Sequence, residues 1–362
     1  NNQAGEIEGV GTERAGLTWR AAGAVQSKVV PAADHEQATQ ALIAHLTDPE
    51  EGPLSDWGEL TAVGHKVAYG GETYGSMVVI DDQVMEHIER PPPFAAALNR
   101  HSTAAIRASA RLAPQVPQVA VFDTAFHQTV PPQAYLYALP YRLYDEGYLR
   151  RYGVQGIAHH YVALQAAAYL QQDYREIRII TCYLDDSSSL CAIDHGRSVD
   201  TSMGLTPLGG LMTGTQPGDL DPAVLLHLLR EEQWSLDEVE QTLNRESGLK
   251  GLSGLSGDLG ALEEAAGRGD RRAILAVHAF CYRIRKRLGA YISALDGVDA
   301  IVFTGRVGQS NAWVRSLACQ GLSYMGIHVD EAHNTAASSL LGAAASVAVE
   351  ISEGNSRAKI LV

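Results

Sequence analysis

Cysteine is scarce in this sequence: Cys182, Cys191, Cys281 and Cys319 are its four residues, with no C-x-x-C pair and no regular spacing. Neither a zinc site nor a disulfide scaffold is implied, and a reducing, cytoplasmic setting fits best. Positive charge is short as well, since 28 Lys and Arg stand against 42 Asp and Glu for a formal net charge of −14. Such a field repels phosphate backbones and anionic lipid, so nucleic acid and membrane surfaces are excluded as partners and a small molecule is expected. Long apolar runs are missing too. Spanning a bilayer takes roughly 20 apolar residues; the closest stretch, Ala336 to Val349, is interrupted by Ser338, Ser339 and Ser346 and reads as a close-packed, alanine-rich helix. The opening, Asn1 to Gly9, is polar and carries no secretory leader pattern.

What is present suits a soluble enzyme. Hydrophobic residues make up 46% and charged residues 19% of the 362, far from the composition of a disordered chain. Domains commonly run to roughly 100–200 residues, so the length suggests two. Strand patterns around Leu60 to Gly71 and Ser76 to Ile80 are followed by helical spacing over Asp82 to Arg90, stopped by Pro91 to Pro93. A further helix is expected from Phe94 to Leu112. Gln118 to Phe122 reads as a buried strand that delivers Asp123 at its carboxyl end, a place that suits either a site residue or a cap on the next helix. After a helix over Ile157 to Asp173, the strands Ile177 to Leu184 and Leu190 to Asp194 are joined as a hairpin by Asp185 to Ser189.

Glycine then dominates. Loops are expected from Gly204 to Gly218 and Gly248 to Gly260, with helices over Pro222 to Arg230 and Ser235 to Arg245 between them. A long helix, Arg271 to Leu295, leads to the strand Ala300 to Phe303, the turn Thr304 and Gly305, and a helix near Ala312. Such a turn can gather backbone N–H groups around a nucleotide phosphate, or it can be an ordinary strand-to-helix connection.

Six segments, HKVAYGGE (His65 to Glu72), VAVFDTAFHQT (Val119 to Thr129), RRYGVQGIAHHYV (Arg150 to Val162), SVDTSMGLTPLGGLMTGT (Ser198 to Thr215), SGLKGLSGLSGD (Ser247 to Asp258) and FTGRVGQSNAWVR (Phe303 to Arg315), carry a resemblance to the acetate kinase family. The resemblance implies an α/β protein of two actin-like, ribonuclease H-like domains, the ASKHA fold, around a cleft, divided here as 1–155 and 156–362. It implies a homodimer, and a reaction in which ATP with Mg²⁺ and acetate or another short-chain carboxylate give ADP and an acyl phosphate. The family's opening strand and its closing Pro-Thr-Asn-Glu-Glu run are not found between Asn1 and Val362.

By this resemblance Asp123 keeps the aspartate that orients the attacking carboxylate or the metal. His65 and Lys66 stand where the family has His-Arg, a change that gives up the bidentate fork for a carboxylate. Val154 replaces the phenylalanine packed on the acetate methyl, Gln155 the histidine facing the migrating phosphoryl group, and Leu98 is assigned to the histidine position of a Leu-His-Asn segment. Gln216 replaces an arginine. On the nucleotide side, Asp185, Asp186 and Ser187 occupy the phosphate hairpin, where two carboxylates repel a phosphate tail. Asp258 is retained, but Gly260 lacks the arginine beside the adenosine. Gly305, Arg306, Gly308 and Gln309 form the second phosphate turn, in which Arg306 replaces a glycine and either plugs the pocket or grips a different anion. No metal motif is spelled by His127, His159 and His160, which are expected to be hydrogen-bonded structural histidines. Losing several cations and donors together is expected to leave little of the parent activity, either as a weakened kinase, a pseudokinase scaffold that binds a ligand or partner, or an enzyme of altered acyl specificity.

Overall fold

The computed structural model describes residues 5–12, 14–21, 24–340 and 348–362. They form two compact units, Asn1–Ala125 and Phe126–Val362. The division falls earlier in the chain than the boundary read from the sequence, placing the 126–155 segment with the second unit.

The first unit opens with three antiparallel strands, β1 (Gly5–Glu8), β2 (Gly16–Ala21) and β3 (Ala24–Val29), in the order β1-β2-β3. Leu17 and Trp19 of β2 are buried with Val30 against Leu42 of the helix His35–Leu46. A second sheet has the order β4-β6-β5, where β4 (Val63–Val67) runs parallel to β6 (Gln118–Phe122) and β5 (Val78–Val79) antiparallel to it. Asp81 caps the helix Asp82–Glu89 by accepting the N–H of Val84 at 2.8 Å, and the following prolines end it. Val84 and Ile88 from this helix and Ile106 from the helix Ala96–Leu112 bury themselves against Val67, Ala120 and Phe122.

The second unit is a three-layer α/β arrangement, as alternating βα signals lead one to expect. Its sheet has the order β11-β10-β7-β8-β9, built from β7 (Arg178–Tyr183), β8 (Ser189–Asp194), β9 (Arg197–Thr201), β10 (Ala300–Thr304) and β11 (Lys359–Leu361). β10 is parallel to β7 and β11, whereas β7, β8 and β9 are joined antiparallel. Side chains alternate between the two faces. Ile179, Cys191, Ile193 and Val302 meet Ala163 and Ala167 of the helix Gly156–Leu170. Ile180, Cys182, Leu190 and Phe303 meet Phe280, Ile284 and Leu288 of the helix Arg271–Ala294. All four cysteines are buried free thiols. Burial pushes Cys191, Cys281 and Cys319 up to about 12, so they act as small apolar side chains.

One expectation needs correction. The segment from Gly248 to Gly260 is not a loop throughout, because Gly248–Ser253 is helical and Leu259–Gly267 begins inside it. Gly248 is required there for another reason: at φ +63° a Cβ would lie 2.2 Å from the Thr213 carbonyl oxygen. Of the alanine-rich helix expected from Ala336 to Val349, the described part belongs to Glu331–Leu340; residues 341–347 lie outside the described residues.

Candidate functional site

In the first unit the parallel pair β4 and β6 brings two charged residues to its carboxyl end. Val67 lies opposite Phe122 in the ladder, and the N–H of Asp123 continues the pairing by donating to Val67 O at 2.8 Å. Lys66 then reaches Asp123, with Nζ 3.0 Å from Oδ2. The Asp123 side chain is buried and the Lys66 side chain is 62% exposed, so the lysine keeps donors available to an external anion while Asp123 fixes its position. His65, one residue away, projects to the other face of the strand. Its Nε2 lies 2.7 Å from Gln118 Oε1. Because the Gln118 amide nitrogen donates to Val116 O, the oxygen is the acceptor and the histidine carries its proton on Nε2. Burial lowers the His65 pKa, partly offset by that hydrogen bond. His65 and Lys66 therefore do not grip one anion together.

Leu98 is half-buried on the helix Ala96–Leu112, beside a fully buried neighbour. That neighbour, Asn99, faces the interior: its Nδ2 donates to Tyr69 O at 3.0 Å and its Oδ1 accepts the Tyr69 N–H at 2.9 Å. Ala95, Asn99 and Ile106, spaced by four and seven residues, are the buried stripe.

In the second unit Gln155 opens the helix Gly156–Leu170 in the left-handed conformation, φ 65°. This tight approach turns its amide onto the β7–β8 hairpin. Nε2 donates to Ser187 O at 3.0 Å, and Oε1 accepts the hydroxyl of Ser189. Ser189 Oγ is in turn 2.7 Å from His159 Nε2, and His159 Nδ1 is 2.7 Å from Thr181 Oγ1. The directions follow from one another: Ser189 spends its only proton on Gln155, so His159 donates from Nε2 and accepts the Thr181 hydroxyl at Nδ1. Burial, with a smaller repulsion from His127, holds the His159 pKa well below the usual range and the ring neutral. His127 belongs to the same polar seam, through Ser198 at 2.9 Å and the carbonyl of Val154 at 3.3 Å. The neutral amide at position 155 is thus a strut between the helix and the hairpin.

The hairpin and the glycine turn meet in the same unit. Gly305 sits at φ +79°, and a Cβ there would lie 2.5 Å from Leu184 O. That contact exists because the turn bonds the hairpin strand directly: Val307 N–H and Gly308 N–H donate to Leu184 O at 3.0 and 3.2 Å. The Arg306 N–H donates to Asp185 Oδ2 at 3.1 Å. The Arg306 guanidinium reaches Asp185 at 3.3 Å, Asp186 at 2.6 Å and Asp258 at 3.7 Å. One cation thus faces three carboxylates, which leaves two negative charges uncompensated. Asp258 also caps the helix Leu259–Gly267, accepting the Ala261 N–H at 2.8 Å.

The remaining positions make other contacts. Gln216 donates to Asn244 Oδ1 at 3.3 Å and lines an open groove with Asp237 and Glu240. Gln309 is exposed, and its carbonyl accepts from the buried Arg315, whose guanidinium also holds Asn334. Arg315 and Arg151, which donates from Nη1 to the carbonyls of Thr201, Ser202 and Met203, are supporting residues that sequence reasoning missed. Both are arginines inside glycine-containing segments, but nothing in spacing alone distinguishes them from surface cations.

A nucleotide phosphate does not fit the turn as it stands, since the N–H groups of Arg306, Val307 and Gly308 already serve the chain's own oxygens and the local charge is negative. Among the described residues no group of three or more His, Cys, Asp or Glu is arranged to hold a metal ion.

The two units, each an α/β assembly with a charged pair or a glycine turn at its strand ends, define an ASKHA-type α/β protein. The chain matches the Acetokinase family over residues 2–362 and belongs to it. It is 42% identical over 358 residues to an acetate kinase of Clostridium botulinum (strain Okra / Type B1), covering 99% of this chain and 88% of that one. Among solved structures it resembles the acetate kinase of Porphyromonas gingivalis, with TM-score 0.90 and 35% identity, and a propionate kinase of Francisella tularensis, with TM-score 0.89 and 32% identity; each covers 99% of this chain and 88% of the other.

Proposed function

We propose that this protein is a carboxylate kinase of the acetokinase type whose phosphoryl transfer is much reduced or lost. Its reference reaction, implied by the resemblance, is ATP, with Mg²⁺, and acetate or another short-chain carboxylate giving ADP and an acyl phosphate; its relatives are named acetate and propionate kinases. The observation that carries the reading is the engagement of the glycine turn by Asp185 and Leu184, which uses the backbone donors a phosphate needs. Two neutral amides reinforce it. Gln155 is tied to Ser187 and Ser189, and Gln216 to Asn244, so neither offers positive charge to a migrating phosphoryl group. On the carboxylate side Lys66, steadied by Asp123, offers one point charge.

A hydroxamate trap for acetyl phosphate, run beside an active relative, tests the reading. Turnover below about one hundredth of the control is expected from the loss of one positioned cation or donor, which commonly costs roughly 10²–10³ in rate. Turnover within about tenfold of the control overturns it. The same observation favours a pseudokinase over an enzyme of altered acyl specificity, because it concerns the nucleotide side and leaves any acyl preference aside.

A further inference from the structure

The helix Arg271–Ala294 carries two stripes. One runs from Ala273 through Phe280 and Ile284 to Tyr291 and is buried in the core. The other places Arg283, Lys286 and Arg287 at spacings of three and four residues, which stack on one helix face. These three cations line a pocket of about 390 Å³ with Gly210, Leu211 and Asp219. A concentration of positive charge on one turn is out of keeping with a chain of net charge −14.

The charges there do not cancel. Asp219 is spoken for on both oxygens: Oδ2 pairs with Arg287 at 2.7 Å and Oδ1 accepts the Gly210 N–H at 2.8 Å. Arg283 donates from Nη1 to Pro217 O, a neutral partner. Lys286 extends over the Tyr282 ring at 5.8 Å. Asp200, which feels the field of Arg287, feels that of Arg151 more strongly. The pocket is left with the charges of Arg283 and Lys286 in excess.

We propose that this pocket is a binding site for a small phosphoryl oxyanion, gripped by Arg283 and Lys286 with Arg287 as its third wall. A guanidinium fork and an ammonium on adjacent turns match the oxygens of a phosphate, and the volume admits either the free ion or a small phosphate ester. Because Arg283 and Arg287 also hold Pro217 and Asp219, a bound anion braces the 210–219 segment that carries Gln216. The site owes nothing to the glycine turn at Gly305 and stands whether or not the chain transfers phosphoryl groups.

Calorimetry on the whole chain at fixed ionic strength, with inorganic phosphate in one arm and glycerol 3-phosphate in the other, decides it. One site is expected, weakened at least about tenfold by Lys286→Glu and by Arg283→Gln, since each removes a charge-assisted contact. Lys286 is exposed, so Lys286→Glu retains the fold and isolates the charge. Tighter binding of the ester identifies the ligand as a phosphomonoester, and equal binding identifies the free ion. Absence of binding in both arms at millimolar concentration, or binding insensitive to Lys286→Glu, overturns the proposal.

Discussion

Arg306 is bound to Asp185 twice: its backbone N–H donates to Oδ2 at 3.1 Å, and its guanidinium approaches Oδ1 at 3.3 Å. The two substitutions that look independently unfavourable in the sequence, a carboxylate in the hairpin and a cation in the glycine turn, are therefore one structural unit. The anion that Arg306 grips is the protein's own. The ion pairs are partly exposed and contribute little stability individually, so their consequence lies in occupancy and local charge.

The carboxylates, more than Arg306, are expected to limit nucleotide binding. Each adds about 1 kcal/mol of repulsion toward a phosphate at an intermediate dielectric. Asp185→Asn with Asp186→Asn keeps the acceptor for the Arg306 N–H and removes two charges, so Mg-ATP binding measured by calorimetry should tighten by about tenfold or more. Arg306→Gly alone should not tighten it, because three carboxylates then lose their cation. Low-micromolar binding by the unmodified chain contradicts the closed turn.

Gly305→Ala should destabilise the second unit. The backbone sits at φ +79°, and the added Cβ meets Leu184 O at 2.5 Å, a combination of left-handed strain and overlap worth roughly 1–3 kcal/mol. Urea denaturation should show a lower midpoint with an unchanged slope. Gly354→Ala is the control, since its Cβ meets nothing within 4 Å.

Stability should fall with acid because of His159. Burial depresses its folded-state pKa well below 6.5, so below about 6.5 the unfolded chain binds a proton that the folded one refuses. The stabilising difference is present above the unfolded pKa and is lost as pH falls toward the folded value. The loss approaches about 1.4 kcal/mol per pH unit for one such group. His159→Gln should be less stable at pH 8 yet show a shallower decline between pH 6.5 and 5. Equal slopes in the two proteins would falsify the assignment.

Element identity was largely legible in the sequence because apolar periodicity sets it. Gln118 to Phe122 is the strand expected, and Asp123 does end it against Lys66. Other features depend on partners far along the chain. Nothing near Gln155 announces that Ser187 and Ser189 take up its amide, and nothing near Arg306 indicates that Asp185, 121 residues earlier, occupies its N–H. The inward stripe of Ala95, Asn99 and Ile106 was readable from its spacing. The small sheet β1-β2-β3 was not anticipated: β1 is short and β3 mostly exposed, so only β2, with Leu17 and Trp19 inward, carries the alternation that betrays a strand.

Restoring catalysis should require both halves of the site to change. Gln155→His with Gln216→Arg returns two cationic positions, yet the closed turn still denies the nucleotide its donors and the hairpin still repels it. That double variant should gain little in the hydroxamate trap. Adding Asp185→Asn and Asp186→Asn removes the repulsion without removing the Arg306 acceptor, and turnover should then exceed that of the double variant by at least about tenfold, in line with roughly 1 kcal/mol per charge. Full recovery by Gln155→His with Gln216→Arg alone would place the defect in the two amides and set aside the part assigned to Asp185. No gain from the combined variant would mean that the Asp185–Arg306 unit is not what holds turnover down.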